Sequence, residues 1–145
     1  MTFERHVDID WSGNLMEGNG TAKAGTGAFT LPVTFASRVG EPAGKTSPEE
    51  LMAASHAACY AMVVAGALGR ANATADSMIV TAKVAADKGD AGIKIVSSAL
   101  SATVKGLKGM DAQQFDELAK QAEGRCPVSN ALRGALQITV TTHVS

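Results

Sequence analysis

The first part of the chain alternates apolar and polar residues in short stretches that glycine interrupts. Residues 6–11, HVDIDW, alternate in this way, and residues 29–35, FTLPVTF, are rich in β-branched and aromatic side chains. Both patterns favour β-strands. The stretch from Gly13 to Gly27 lacks the Gly-Lys-Ser/Thr ending of a phosphate-binding loop, so we interpret it as turns. The segment up to about Phe35 therefore predicts an antiparallel hairpin region.

The longest apolar segment follows a predicted loop at residues 37–46. Ser47 suits the N-cap of a helix, Pro48 its first position, and Glu50 the partner in a capping box. From Leu51 to about Arg70 apolar residues occupy almost every face of the predicted helix. This pattern is typical of a helix that is buried on every side.

The same segment is close to the ~20 residues that cross a membrane. Ser55 and His56 interrupt it, alanine is only weakly hydrophobic, and strand-like segments surround it. We therefore favour a helix enclosed by protein over a membrane span.

The second half of the chain predicts two strands, two helices and a last strand. Residues 76–87 and 92–104 are rich in β-branched side chains and are joined by a turn at residues 87–90, so they predict a long hairpin. The whole chain, residues 1–145, is therefore expected to form one α+β domain with an antiparallel sheet and a long buried helix.

Both helices of the second half have a recognisable start. Asp111 suits the N-cap of an amphipathic helix. Its apolar face comprises Phe115, Leu118, Ala119 and Ala122. Pro127 follows Cys126 and suits the first position of a second, shorter helix. Residues 136–144, LQITVTTHV, then predict the last strand.

The charge composition narrows the class of partner. The chain has 13 basic and 14 acidic residues, a net charge of −1. Nucleic acid or an anionic membrane would call for a basic excess, so neither is expected as a partner. The first residues carry charges and no apolar secretory segment, so we expect the protein in the cytoplasm.

The chain contains two cysteines, Cys59 and Cys126, too few for a secreted disulfide framework. Cys59 lies among alanines within a helix, where a cysteine is by default an inert small hydrophobe. Cys126 begins a helix, where unpaired backbone N–H groups and the helix dipole favour an anion. A thiol at such a position is suited to thiol–disulfide exchange.

Peroxide reduction is the simplest chemistry for such a pair of thiols. One thiolate attacks the O–O bond and becomes a sulfenic acid, and the second thiol condenses with it to form a disulfide. An external dithiol must then reduce this disulfide by exchange. We assign the attack to Cys59 and the resolving step to Cys126.

A fixed positive charge near the attacking sulfur would hold the thiolate and stabilise the leaving alkoxide. Arg38, in the predicted loop before the long helix, is the candidate. Glu49 at the start of that helix would orient the guanidinium of Arg38 through a bidentate pair. The alternatives are a solvated surface charge for Arg38 and a partner of the helix dipole for Glu49.

His56 lies three residues before Cys59 and so on a neighbouring helix face. A Cys–His pair could serve as nucleophile and base in an acyl hydrolase. No third acid–base member stands out, so we prefer a packed, hydrogen-bonded histidine. His56, Cys59 and Cys126 also lack the paired ligand spacing of a zinc site, so no metal is expected. A non-catalytic redox-sensing or binding module is the other alternative.

Several motifs resemble the OsmC/Ohr family, which comprises osmotically inducible protein C and the organic hydroperoxide resistance proteins. The resemblance extends over nearly the whole chain, and two cysteine motifs in the right order make it specific. It rests on Trp11-x-Gly13, Gly18-x-Gly20-Thr21, residues 47–51 (SPEEL), residues 53–59 (AASHAAC), residues 90–92 (DAG) and residues 126–129 (CPVS).

The resemblance implies a thiol-dependent peroxidase that acts on organic hydroperoxides and less well on hydrogen peroxide, with no metal or organic cofactor. Cys59 matches the peroxidatic cysteine and Cys126 the resolving cysteine. Arg38 matches the catalytic arginine, and Glu49 the glutamate that orients it. The position of Arg38 is similar to that in the OsmC branch, although Val39 is smaller than the aromatic residue often found there. The reductant would be a lipoyl-bearing protein or a small thiol.

The resemblance also implies an intertwined homodimer with two active sites at the subunit interface. In a continuous helix from Pro48, the ten residues between Glu49 and Cys59 span roughly 15 Å along the axis. Either the helix breaks before Cys59, or one subunit contributes Arg38 and Glu49 to the thiol pair of the other. We favour the shared site.

Overall fold

The computed structural model describes every residue from 1 to 145. Its mixture of strands and helices confirms the predicted α+β class. The elements are β1 (Val7–Ser12), β2 (Asn19–Ala24), β3 (Thr30–Val33), α1 (Phe35–Val39), α2 (Pro48–Arg70), β4 (Ser77–Gly89), β5 (Gly92–Lys105), α3 (Ala112–Glu123), α4 (Pro127–Leu132) and β6 (Gln137–Val144). They fall into two compact units, residues 1–51 and residues 52–145. The expectation of one domain over the whole chain stays a prediction.

The first unit contains an antiparallel sheet of three strands in the order β1-β2-β3. The middle strand, β2, lies within the stretch that we interpreted as turns, so that interpretation is wrong for residues 19–24. Ala22 and Ala24 are buried between exposed neighbours, which is the alternation of a strand. Gly20 pairs with Trp11, and a Cβ at Gly20 would lie 2.7 Å from the indole ring. Glycine is therefore required there for close packing and does not mark a turn.

A short helix, α1, replaces the first part of the predicted loop. Thr34 caps it, because its hydroxyl accepts a hydrogen bond from the Ser37 N–H at 3.1 Å, and Gly40 follows its last residue. Arg38 therefore lies in the last turn of a helix and not in a loop. Thr34, a residue type that often caps helices, was the sequence signal for α1. Glycine and proline, which mark loops, do not reveal such a start.

The long helix α2 starts where the sequence predicts, and the Glu50 N–H donates to Ser47 Oγ at 3.1 Å. The capping box is incomplete, because the Glu50 carboxylate instead accepts a hydrogen bond from the Thr46 hydroxyl at 2.8 Å. The helix is unbroken from Pro48 to Arg70. The alternative of a break before Cys59 is therefore wrong.

Within a single chain only one face of α2 is buried. The expectation that this helix is buried on every side is therefore wrong for the single chain. The buried residues are His56, Tyr60, Val64 and Leu68, which recur every four positions. Met62, on another face, is 74% exposed. By length and composition α2 could also cross a membrane, with a mean hydropathy of 1.6 and 22% of its apolar window buried. Its enclosure by protein stays a prediction.

The second unit contains a sheet of three strands in the order β4-β5-β6. The predicted hairpin is confirmed, but its turn lies at Asp90 and Ala91, because Lys88 still pairs with Ile93 within the strands. β6 runs parallel to β5, so the expectation of an antiparallel sheet is wrong for this pair. The crossover through α3 and α4 returns the chain to the same end of the sheet, which parallel pairing requires.

A single hydrophobic core holds the second unit together. Alternate residues of β5, one face of α3 and the buried face of α2 form this core, together with Cys126. Its members include Tyr60, Val64, Leu68, Leu100, Ala102, Val104, Phe115, Ala119 and Ala122. The Tyr60 hydroxyl donates to the Ala119 carbonyl at 2.6 Å, which ties α2 to α3. The predicted Asp111 cap is confirmed, and Gln114 completes a capping box at the start of α3.

Candidate active site

The structure brings the two cysteines together. Cys59, half-buried on α2, and Cys126, fully buried at the N-cap of α4, are both free thiols. Cys126 Sγ lies 3.2 Å from Cys59 Sγ and donates a hydrogen bond to it. A disulfide bond of about 2.05 Å needs only a small further approach of the two sulfur atoms. Because Cys59 is the more exposed of the two, it is the sulfur that a small oxidant reaches first.

Backbone N–H groups in the first turn of α4 act on both sulfur atoms. The Ser129 N–H donates to Cys126 Sγ at 3.5 Å, and the Val128 N–H acts to lower the pKa of Cys59. These donors favour a negative charge on sulfur, as expected at the start of a helix.

The pKa of the Cys59 thiol is nevertheless raised above its usual value. Burial is the largest cause, and the neighbouring Cys126 adds to it, whereas the Val128 N–H acts in the opposite direction. No cationic side chain is among these causes. The surroundings of Cys59 within residues 52–145 therefore favour the protonated thiol over the thiolate. For Cys59 to be a thiolate at neutral pH, an additional positive charge is needed nearby.

Arg38 and Glu49 form the bidentate pair that the sequence predicts. Arg38 Nε lies 3.1 Å from both carboxylate oxygens of Glu49, and Nη2 lies 2.7 Å from Oε1. The hydrogen bond from Arg38 is the main cause that lowers the pKa of Glu49, and the same bond raises the pKa of Arg38. The pair therefore stays ionised, with the guanidinium held in one orientation.

An apolar cavity of about 130 Å³ lies beside this guanidinium in the first unit. Its lining includes Trp11, Leu15, Val33, Phe35 and Pro48, together with Arg38. Apolar walls with one fixed cation suit a ligand that has a hydrocarbon part and a polar or anionic end.

His56 is packed and fully hydrogen-bonded, which confirms the preferred interpretation. Its Nδ1 lies 2.7 Å from Ser98 Oγ and its Nε2 lies 2.7 Å from Ser129 Oγ. Burial lowers the pKa of the imidazole, and the charge of Glu123 opposes this effect. Both ring nitrogens are occupied by hydroxyl groups, so neither is free to act as a base for Cys59.

Sequence reasoning did not identify Ser98 and Ser129 as part of this region. Ser129 belongs to the CPVS motif, and its place in the first turn of α4 was a usable signal. Ser98 stands two positions before the buried Leu100 on β5, so its inward direction follows from the alternation of the strand. No group of three or more His, Cys, Asp or Glu side chains is arranged to hold a metal ion.

A facing pair of free thiols, one of them at the start of a helix in an α+β fold, defines a two-cysteine redox protein. Residues 40–141 match the sequence profile of the family described as OsmC-like protein, and the chain belongs to this family.

Two curated relatives carry names that describe redox functions. The chain is 37% identical over 139 residues to peroxiredoxin OsmC of Escherichia coli strain K12, covering 95% of this chain and 96% of that protein. It is 34% identical over 97 residues to the organic hydroperoxide resistance protein OhrA of Bacillus subtilis strain 168, covering 66% of this chain and 65% of that protein.

A solved structure supports the fold. The crystal structure of an organic hydroperoxide resistance protein from Elizabethkingia anophelis superposes with a TM-score of 0.78, over 100% of both chains and at 24% identity.

The lowered pKa of His56 predicts a pH-dependent stability. The unfolded state binds a proton below the usual pKa of about 6.5, whereas the folded state resists protonation. The stabilising contribution is therefore complete above that pH and is lost as the pH falls through the lower, folded pKa. The free energy of unfolding should fall by up to about 1.4 kcal/mol per pH unit in this window.

Urea unfolding of the native protein and of His56→Gln at several pH values between 5 and 7 tests this expectation. The difference between the two curves should shrink as the pH falls. The Glu49 carboxyl, with its lowered pKa, contributes a constant stabilisation above its usual value of 4.5 and loses it only at lower pH, so it does not interfere between pH 5 and 7. If the free energies of unfolding of the two proteins change in parallel with pH, His56 is not the group responsible for the pH dependence.

Proposed function

We propose that this protein is a thiol-dependent peroxidase that reduces organic hydroperoxides, and hydrogen peroxide less well, in defence against oxidative stress. The observation that carries the proposal is the 3.2 Å contact between Cys59 and Cys126, with the family membership behind it. The relatives named peroxiredoxin and organic hydroperoxide resistance protein support the same activity.

In the first step the Cys59 thiolate attacks one peroxide oxygen of ROOH. The O–O bond breaks, Cys59 becomes a sulfenic acid, and the alkoxide that leaves takes up a proton to form the alcohol ROH. The half-buried position of Cys59 supports its assignment as the attacking thiol, because the fully buried Cys126 is out of reach of solvent.

In the second step the Cys126 sulfur attacks the Cys59 sulfur. The S–OH bond breaks, and the hydroxide that leaves combines with the thiol proton of Cys126 to form water. The product is the Cys59–Cys126 disulfide, and the hydrogen bond between the two sulfur atoms in the reduced state places the attacking atom in advance. An external dithiol, either a lipoyl-bearing protein or a small thiol, then restores both thiols by exchange.

Arg38 supplies the positive charge that this chemistry needs. Its cation would lower the pKa of Cys59 against the effect of burial and would stabilise the alkoxide as the O–O bond breaks. Glu49 holds the guanidinium in place through the bidentate pair. The apolar cavity beside Arg38 suits the hydrocarbon part of an organic hydroperoxide better than it suits hydrogen peroxide.

The active form is proposed to be a homodimer in the cytoplasm. One observation in support is the exposed apolar face of α2, where Met62 lies between small residues. A second copy of the chain would cover this face and remove its apolar surface from water. The two unpaired cysteines suit a reducing compartment.

The two subunits are further proposed to share each site, with Arg38 and Glu49 of one chain acting on Cys59 of the other. The unbroken course of α2 supports this arrangement, because it removes the alternative in which the helix bends before Cys59.

An acyl hydrolase is a weaker candidate, because both ring nitrogens of His56 already have hydroxyl partners. A redox sensor would oxidise once and would not turn over, so a steady-state assay separates it from the proposed enzyme.

The roles of the two thiols lead to different expectations for two serine variants. Cys59→Ser should abolish the consumption of an alkyl hydroperoxide in the presence of dihydrolipoamide. Without an external thiol, Cys126→Ser should reduce one equivalent of hydroperoxide and stop as the sulfenic acid, because no resolving thiol remains, and a second equivalent should convert it to the sulfinic acid. Steady turnover by Cys59→Ser at the native rate would refute the assignment.

The shared site can be tested by mixing two inactive proteins. Arg38→Met should be nearly inactive because the thiolate loses its cation, and Cys59→Ser because it lacks the attacking sulfur. After subunit exchange, one of the two sites in each mixed dimer should be intact, so activity should return. Mixed dimers that mass spectrometry verifies but that stay inactive would contradict the shared arrangement.

A further inference from the structure

A buried set of hydrogen bonds links α2, β5 and α4 through one imidazole. His56 is bonded to Ser98 on β5 and to Ser129 on α4, each at 2.7 Å. All three residues are fully buried. A buried polar group that loses its partner destabilises the fold, so both bonds constrain the position of the ring.

The first turn of α4 carries the groups of this helix that act on the two sulfur atoms. Cys126 is the N-cap, the Ser129 N–H donates to Cys126 Sγ, and the Val128 N–H acts to lower the pKa of Cys59. Because α4 has only six residues, its own hydrogen bonds do not make it rigid. Tertiary contacts must therefore place this turn.

Two other side-chain contacts hold α4. Arg133 at its C-cap, which is 49% exposed, pairs with Glu123 at 2.7 Å. Ion pairs with an exposed partner contribute little to stability, and this pair acts at the end of the helix remote from Cys126. Asn130 donates to the Gly124 carbonyl at 3.1 Å, which joins α4 to the residues just before it and not to α2 or β5.

At its N-terminal end the contact is of a different kind. Ser129 Oγ meets His56 Nε2 away from water, where a hydrogen bond is stronger than at the surface. Ser129 is also the residue whose N–H donates to Cys126 Sγ. The His56 bond therefore fixes the same turn that fixes the resolving sulfur.

His56 also lies on the turn of α2 that precedes Cys59, three residues away along the sequence. One imidazole thus connects the turn that carries Cys59 to the turn that carries Cys126. The bond to Ser98 joins the other side of the ring to β5 and does not involve α4.

We propose that His56 is a positioning residue for the two-thiol reaction: through Ser129 it holds the first turn of α4, and with it Cys126, against the Cys59 sulfur. The ring nitrogens are hydrogen-bonded to the two serines and to neither sulfur atom. The inference rests on the proposed function, because it concerns the same disulfide.

A neutral imidazole suits this role, since it provides one donor and one acceptor in a fixed plane. Each hydroxyl can complement either nitrogen, so both bonds form in either tautomer. Burial keeps the ring uncharged at neutral pH because it lowers the pKa of His56.

Ser129→Ala and Ser98→Ala form a matched pair of test variants. Each removes one buried hydroxyl and leaves one nitrogen of the same ring without a partner, so both should lower the melting temperature. Only Ser129→Ala removes the hydrogen bond that joins the first turn of α4 to His56. The equilibrium between the dithiol and the Cys59–Cys126 disulfide in a glutathione redox buffer measures how well the two sulfur atoms are placed, and it requires no peroxide.

We expect the equilibrium constant for disulfide formation to fall about tenfold or more in Ser129→Ala, which is a shift of about 30 mV, and to change less than about twofold in Ser98→Ala. Equal constants in the two variants would overturn the positioning role while leaving the proposed function intact. Failure of the native protein to form this disulfide at all would instead overturn both.

Substitution of the ring itself provides a second test that does not depend on the serine variants. A glutamine amide reaches about the position of the imidazole Nε2, whereas an asparagine amide reaches that of Nδ1. His56→Gln should therefore keep the Ser129 bond and a nearly native equilibrium constant, and His56→Asn should lose both. The reverse order, or no difference, would contradict the inference.

Discussion

The hydrophobic core of the second unit is the constraint on which the rest of the structure depends, because it holds the Cys59 and Cys126 sulfur atoms 3.2 Å apart. The two residues are 67 positions apart in the sequence, so only tertiary packing can bring them together. The buried face of α2 and one face of α3 share a core with β5, and the Tyr60 hydroxyl ties the two helices. Because Cys126 lies only three residues after the end of α3 at Glu123, the packing of α3 limits where Cys126 can lie.

Burial of the thiol pair has two opposite effects on its chemistry. It shields Cys126 from oxidants and, in the proposed mechanism, leaves Cys59 as the thiol that is oxidised first, but it also raises the pKa of Cys59. Backbone N–H groups of α4 counter only part of that rise. In the proposed mechanism the missing positive charge comes from Arg38, whose guanidinium is held by Glu49 beside an apolar cavity.

Local signals predicted much of the structure. The starts of α2 and α3, the short helix after Cys126 and the long hairpin were predicted because caps, prolines and turns act over a few residues. β2 was missed because Gly20 was interpreted as a turn residue, whereas it makes room for Trp11. The parallel course of β6 depends on a crossover of the chain, which no local pattern encodes.

The candidate site also has a part that the sequence predicted and a part that only the folded structure shows. The cysteine and Arg–Glu pairs were predicted from residue chemistry and motif order, and the structure places each pair in contact. The hydroxyl partners of His56 come from distant parts of the chain, at Ser98 and Ser129. Motif and strand alternation indicate that both serines face inward, but they do not show which side chain each serine meets, so only the folded structure identifies them as partners of His56.

Intact-mass and peptide-mass analysis of the reduced native protein after one equivalent of an alkyl hydroperoxide tests the two-thiol mechanism most directly. The expected products are one equivalent of the alcohol and a protein lighter by two hydrogen atoms, with the peptides that contain Cys59 and Cys126 joined by a disulfide. A protein that gains oxygen atoms at Cys59 and forms no such link, or one that leaves the hydroperoxide unreacted, would contradict this mechanism.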